Sequence, residues 1–165
     1  MHEKSIELLN KAAADELSAV HQYMYFHFHC DDQGFDLLAN LFKRTAIEEM
    51  LHVEKLAERI LFLKGDVKMA VDVPTKYIHD VKGMLTLATQ METESALAYN
   101  KWANEASANN DSATKKIFEE LVLDEERHYD QFDTELTHLT ELGNSYLALQ
   151  SIERSKRQGA GGPPA

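Results

Sequence analysis

Ile47-Glu48-Glu49-Met50-Leu51-His52 and Leu123-Asp124-Glu125-Glu126-Arg127-His128 each contain Glu-x-x-His, and their place in a longer repeat decides the fold. Glu16 lies 33 residues before Glu49, and Glu92 lies 33 residues before Glu125. A shift of 76 residues carries Glu16, Glu49 and His52 onto Glu92, Glu125 and His128, and also carries Tyr23 onto Tyr99. Residues three apart on a helix share a face, so both side chains of each Glu-x-x-His point the same way. Two glutamates plus two such pairs, contributed by four helices, are a known ligand set for a carboxylate-bridged pair of iron or manganese ions.

The surrounding sequence supplies those helices. Proline occurs only at positions 74, 163 and 164, and the seven glycines are sparse, so long helices meet few interruptions. Apolar residues recur in alternating steps of three and four over about 3–31, 35–63, 81–108 and 112–142. The first seam reads Ile6, Leu9, Ala13, Glu16, Val20, Tyr23, His27, and the second Leu38, Phe42, Thr45, Glu49, His52, Leu56, Leu63. The third reads Leu85, Ala88, Glu92, Ser95, Tyr99, Trp102, Ala106, and the fourth Phe118, Leu121, Glu125, His128, Phe132, Leu139. The glutamates and histidines therefore stand where core residues belong. Asn110-Asp111-Ser112 supplies an N-cap and Gly143 a stop. Residues 65–80, with Pro74, read as a long extended crossover. The expectation is an all-α four-helix bundle with a long crossover between its second and third helices and a short fifth helix over about 145–156. One domain spans 1–157, and residues 158–165, rich in glycine and proline, form a disordered tail.

Composition narrows the function. A chain of 165 residues can bury a real core. It has no apolar run long enough to span a membrane. Met1-His2-Glu3-Lys4 lacks a secretory signal pattern, and Cys30 is the only cysteine, so a reducing cytoplasm is the expected location. One cysteine cannot form an intrachain disulfide or a Cys-x-x-Cys metal site. A net charge of −11 argues against nucleic acid as a partner and suits a protein that attracts cations. Four carboxylates at one level of a bundle would repel one another and suffer desolvation, unless two divalent cations cancelled them. Two neutral imidazoles complete the ligand set without adding charge. Iron suits oxygen and imidazole ligands and leaves coordination positions open.

Single motifs carry less. A third Glu-x-x-His, Glu135/His138, has Trp102 at the 33-residue spacing and lies about 80° around the helix from the second motif, so it reads as a solvated pair. Glu94 competes with Glu92 but breaks the spacing and points elsewhere. Tyr23 can serve the site by hydrogen-bonding a ligand or donating an electron, or be a core aromatic with a satisfied hydroxyl; for Tyr99 the core reading leads. Glu48 and Asp124 can each orient a histidine, with surface charge the expected role of Glu48. His21, His27, His29 and Cys30 read as packing and surface residues, not an auxiliary metal site.

Asp15-Glu-Leu-Ser-Ala-Val-His-Gln-Tyr23, Ile47 to His52, Leu123 to His128, Glu58-Arg-Ile-Leu-Phe-Leu-Lys-Gly65 and Leu142-Gly-Asn-Ser-Tyr-Leu147 together resemble the bacterioferritins of the ferritin-like superfamily, over roughly residues 3–155. The resemblance implies a ferroxidase that oxidises Fe(II) with oxygen or hydrogen peroxide and stores ferric mineral. Its di-iron centre would have Glu16 and His52 on one iron, Glu92 and His128 on the other, and Glu49 and Glu125 bridging. It implies a hollow homo-oligomer of 24 subunits, with a 12-subunit shell as the smaller variant, and a ferredoxin as candidate partner for iron release. It also implies haem b at a two-fold subunit interface, with Met50 as axial ligand from each partner. Lys43 and Met24 depart from aromatics frequent in the family, and Arg44 replaces a histidine that some members use for an inner-surface iron, so that site is not carried over. The alternatives are a dodecameric DNA-protecting cage, or a di-iron oxidase or peroxidase. The small basic cluster Arg154, Lys156, Arg157 argues against the first, and the missing cysteines against a rubrerythrin-like peroxidase.

Overall fold

The computed structural model describes residues 2–160. Five helices account for most of them: α1 (Glu3–Asp32), α2 (Asp36–Phe62), α3 (Val81–Ala108), α4 (Ser112–Leu142) and α5 (Asn144–Ala160). The long helices α1 and α2 form one close-packed hairpin and α3 and α4 another, while α5 lies across α2 and α4. Local chemistry sets the boundaries. Gly34, at φ 84°, turns the chain between α1 and α2 in a conformation that glycine adopts without strain. The Asp80 carboxylate accepts from Gly83 N at 2.8 Å to start α3, and Asp111 accepts from Thr114 N at 3.1 Å to start α4. Gly143, at φ 55°, ends α4.

Residues 63–80 carry no regular secondary structure, yet they are held along most of α1. Asn10 donates to Asp66 O at 3.0 Å and accepts from Lys68 N at 2.9 Å. Ser18 accepts from the Asp72 and Val73 amides at 2.8 and 3.0 Å. Gln22 makes a two-way pair with the Lys76 backbone, donating at 2.9 Å and accepting at 2.8 Å. The order of these bonds shows that the crossover follows α1 in the same direction. Fully extended, it reaches about 60 Å, more than the roughly 40 Å length of a helix such as α2. The chain can therefore return to the far end of the bundle, and α3 runs antiparallel to α1.

The crossover also explains a shift in the buried stripe of α1. The sequence seam placed Val20 and His27 inward, but both are only half-buried, while Ala19, Phe26 and Cys30 are in the core. Ser18 and Gln22 bind the crossover on that flank, so residues beside them lose their solvent. At the C-terminus, α5 exceeds its expected end. Residues 158–160 are helical and so do not belong to the expected disordered tail, and 161–165 lie outside the described residues. A glycine such as Gly159 weakens a helix by about 1 kcal/mol without removing an N–H, whereas the prolines that do remove one come only at 163 and 164.

Two apolar clusters fill the bundle. One contains Tyr23, Phe26, Leu38, Phe42, Met84, Leu85 and Phe132. The other contains Leu8, Leu9, Leu56, Ile60, Tyr99, Phe118 and Leu121. Between them lies one polar layer.

Candidate metal centre

Glu16, Glu49, His52, Glu92, Glu125 and His128 make up that layer, and all six side chains are buried. Each long helix contributes through its seam: Glu16 from α1, Glu92 from α3, and a Glu-x-x-His pair from each of α2 and α4. Their donor atoms form two overlapping groups, Glu16/Glu49/His52/Glu125 and Glu49/Glu92/Glu125/His128, each with one atom per residue lying within 4.8 Å of the others. Glu49 and Glu125 belong to both, which is what a bridging ligand must do.

The histidines aim one nitrogen inward and one outward. Nδ1 of His52 lies 2.8 Å from Glu49 and 3.3 Å from both Glu16 and Glu125. Nδ1 of His128 lies 3.2 Å from Glu49 and 3.6 Å from Glu92. Outward, Nε2 of His52 donates to Asp124 at 3.0 Å, and Nε2 of His128 donates to Glu48 at 2.8 Å. A proton held on Nε2 leaves the Nδ1 lone pair for a metal ion. Glu48 thus orients a histidine and is not merely surface charge. Arg127 joins the outer shell by pairing with Glu48 and, at 3.3 Å, with Asp124.

The inward atoms are close together but poorly satisfied. Glu16 Oε2, both oxygens of Glu49, Glu92 Oε2, Glu125 Oε1 and Nδ1 of both histidines are buried without a hydrogen-bond partner of acceptable geometry. Orphaned polar atoms of this number are rare in a folded core, and these inward oxygens and nitrogens are donors that a cation would satisfy. This donor set fits two divalent ions in charge and in chemistry.

Titration behaviour carries the same strain. Burial, then the neighbouring carboxylates Glu16 and Glu92, push Glu49 well above the usual carboxylate range, and burial with Glu16 and Glu49 does so for Glu125. Burial opposes the charged form of His128, but Glu92, Glu125 and Glu48 outweigh it and raise the group to about 9. His52 rises further: burial is outweighed by Glu125, Glu16 and Glu49. Burial would raise Glu16 as well, yet His52, Glu49 and Tyr99 hold it low. Without cations Glu49, Glu125 and the two histidines therefore favour their protonated forms.

A cleft of about 330 Å³ leads to this layer between α1, α3 and the crossover. Glu49, Glu92 and Tyr23 line its floor, while Asp15, Asp72 and Glu94 line its outer part. Burial and the adjacent Asp72 raise the Asp15 carboxyl to about 7.

The remaining candidates lie elsewhere. Met50 is 51% exposed on α2, beside the exposed Ile47 and Leu51. Glu135 accepts from Tyr146 at 2.5 Å and His138 is exposed, so the third motif stays away from the layer. Glu94 is exposed and accepts from Gln90 at 2.8 Å. His27 bonds Ala39 O at 2.7 Å, His29 stacks on His79, His21 is exposed and Cys30 packs on Met84, so these four form no common site. The hydroxyls of Tyr23 and Tyr99 both reach the layer; Tyr99 is the core aromatic expected, and the group that satisfies its hydroxyl is Glu16.

A four-helix bundle with carboxylates and histidines from all four helices on two adjoining positions defines a di-metal carboxylate protein. Comparison with known proteins narrows the class. The family model described as ferritin-like domain matches residues 6–142. The bacterioferritin of Desulfovibrio desulfuricans is 35% identical over 88% of this chain and 81% of its own length. That of Brucella melitensis is 34% identical over 85% and 87%, respectively. A solved structure of the D. desulfuricans protein, described by its diiron site in different catalytic states, superposes with a TM-score of 0.88 at 33% identity, covering 90% of this chain and 86% of that one. The chain belongs to the bacterioferritin family.

Proposed function

We propose that this protein oxidises ferrous iron at a di-iron centre within each subunit and deposits the ferric product inside a shell of its own copies. The observation that carries this reading is the pair of four-residue groups sharing Glu49 and Glu125, whose inward atoms lack other partners. Glu16 and His52 would hold one ion, Glu92 and His128 the other, and Glu49 and Glu125 both. Iron supplies the redox chemistry, with dioxygen or hydrogen peroxide as electron acceptor. The chain supplies charge and geometry: four carboxylates balance two divalent ions, and Asp124 and Glu48 fix the imidazoles. The two apolar clusters exclude water on either side. The cleft, with Asp15, Asp72 and Glu94 against the single cation Lys76, gives ferrous ions a path of net acidic character.

Glu16→Ala and His128→Ala each remove one terminal ligand. Ferrous oxidation, followed by ultraviolet absorbance of the ferric product, is expected to fall at least tenfold in both, roughly the size of a lost metal ligand's orientation and charge. Wild-type rates in both would end the proposal.

Haem b shared across a two-fold subunit interface extends the reading. Met50 offers an exposed thioether among exposed apolar neighbours, which fits one half of such a site. A Soret band in the purified protein, lost in Met50→Leu with ferrous oxidation retained, supports it; no band after expression with excess haem refutes it. We place the shell at 24 subunits, and a native mass of 12 subunits would replace that number.

A further inference from the structure

Tyr23 and Tyr99, related by the 76-residue repeat, reach the metal layer from opposite apolar clusters, and each bonds the other half's glutamate. The Tyr23 hydroxyl donates to Glu92 Oε1 at 2.6 Å, and the Tyr99 hydroxyl donates to Glu16 Oε1. Both rings are fully buried. Aromatic packing accounts for the rings: Tyr23 lies 5.3 Å from Phe132, and Tyr99 lies 5.5 Å from Trp102 in a T-shaped arrangement. It does not account for the hydroxyls, which a phenylalanine would lack at no loss of packing area. The oxygens left over match as well. In each terminal glutamate Oε1 is taken by a tyrosine, while Oε2 is buried with no partner.

We propose that Tyr99 is a positioning residue for metal binding, the counterpart of Tyr23: each tyrosine pins one oxygen of a terminal glutamate so that the other faces the ion, and each thereby sets the affinity of one metal position. Tyr99 governs the Glu16/His52 position and Tyr23 the Glu92/His128 position. This rests on the di-iron reading above. It assigns the crossed pair of hydrogen bonds a selective effect, because each bond touches only one non-bridging ligand. General loosening of the core would affect both positions together.

The test is an anaerobic titration of the full-length, metal-free protein with Co(II), followed by visible absorption and calorimetry. Wild type is expected to take two ions per subunit. Tyr99→Phe is expected to weaken one of the two by roughly tenfold, the scale of one lost hydrogen bond to a charged group, and to leave the other within about twofold. In a His128→Ala background, which leaves the Glu16/His52 position, Tyr99→Phe weakens the remaining ion and Tyr23→Phe does not. In a His52→Ala background the two changes exchange roles. Equal weakening of both positions by Tyr99→Phe, or no change in either, overturns the clamp while the di-iron reading stands. If wild type takes fewer than two ions, the di-iron reading itself falls and the clamp with it.

Discussion

Replacing Glu49 by glutamine should change the protein's stability in opposite directions with and without metal. Glu49 is completely buried and belongs to both ligand groups. Its Oε2 lies 2.8 Å from His52 Nδ1 and its Oε1 3.2 Å from His128 Nδ1, yet neither oxygen has a hydrogen-bond partner of acceptable geometry. In the metal-free protein this carboxyl is disfavoured in its charged form by burial and by Glu16 and Glu92. Glutamine keeps the shape, is neutral at every pH and adds an amide that can donate to those neighbours. A carboxyl held above its ordinary range must take up a proton when the chain folds at neutral pH, and glutamine, neutral already, avoids that cost. With metal the balance reverses. An ion at a hundredfold its dissociation constant contributes about 2.7 kcal/mol, so two contribute about 5 kcal/mol. For a domain of this size that is about 10–20 °C in Tm. Loss of a shared ligand removes most of it, because both positions depend on Glu49. The assay is thermal unfolding by circular dichroism with chelator and with anaerobic Co(II). Glu49→Gln should melt higher than wild type in chelator and lower in Co(II). A variant that melts lower in chelator and keeps the full metal-induced rise would refute the reasoning.

Two further outcomes follow from the same layer and its packing. Above the ordinary carboxylate range, where the lowered Glu16 is ionised in both states, the raised Glu49, Glu125, His52 and His128 make the metal-free native state bind more protons than the unfolded chain, so its stability falls as pH rises. His128 contributes fully below its ordinary value near 6.5 and loses that contribution through about 9, so Tm in chelator should decline across this window and flatten on metal loading; a rising Tm would contradict the assignment. Phe132 is fully buried, with ring centroids 5.3 Å from both Tyr23 and Phe42, so Phe132→Ala should cost about 3–5 kcal/mol by chemical denaturation, and a loss below about 1 kcal/mol would show that this cluster does not seal the layer.

Sequence periodicity located the four long helices to within a few residues, because sparse glycine and proline leave boundaries at a few caps such as Asp111 and Gly143. It also brought the six acids and histidines to one level, since equal spacing from Glu16 to Glu49 and from Glu92 to Glu125 imposes equal depth in two equivalent hairpins. The roles of Glu48 and Tyr99 were not readable that way. Each acts on a residue of another helix, Glu48 on His128 and Tyr99 on Glu16, and periodicity within one helix says nothing about a partner across the bundle. One signal was present: the 76-residue shift that pairs Tyr23 with Tyr99 also pairs Glu48 with Asp124. Arg127 has no such mate, for the shift returns Leu51.

The order of residues alone determined that four amphipathic helices would carry a repeated acid-and-histidine pattern on their inward faces, because side-chain direction along a helix follows from spacing. Only tertiary structure decided which atom meets which. The α1–α2 and α3–α4 hairpins close on each other with a crossed arrangement, so His52 and His128 are each held by a carboxylate of the opposite half, and Tyr23 and Tyr99 meet Glu92 and Glu16 there. Such contacts depend on how helices pack, a property of the whole bundle that no single segment contains.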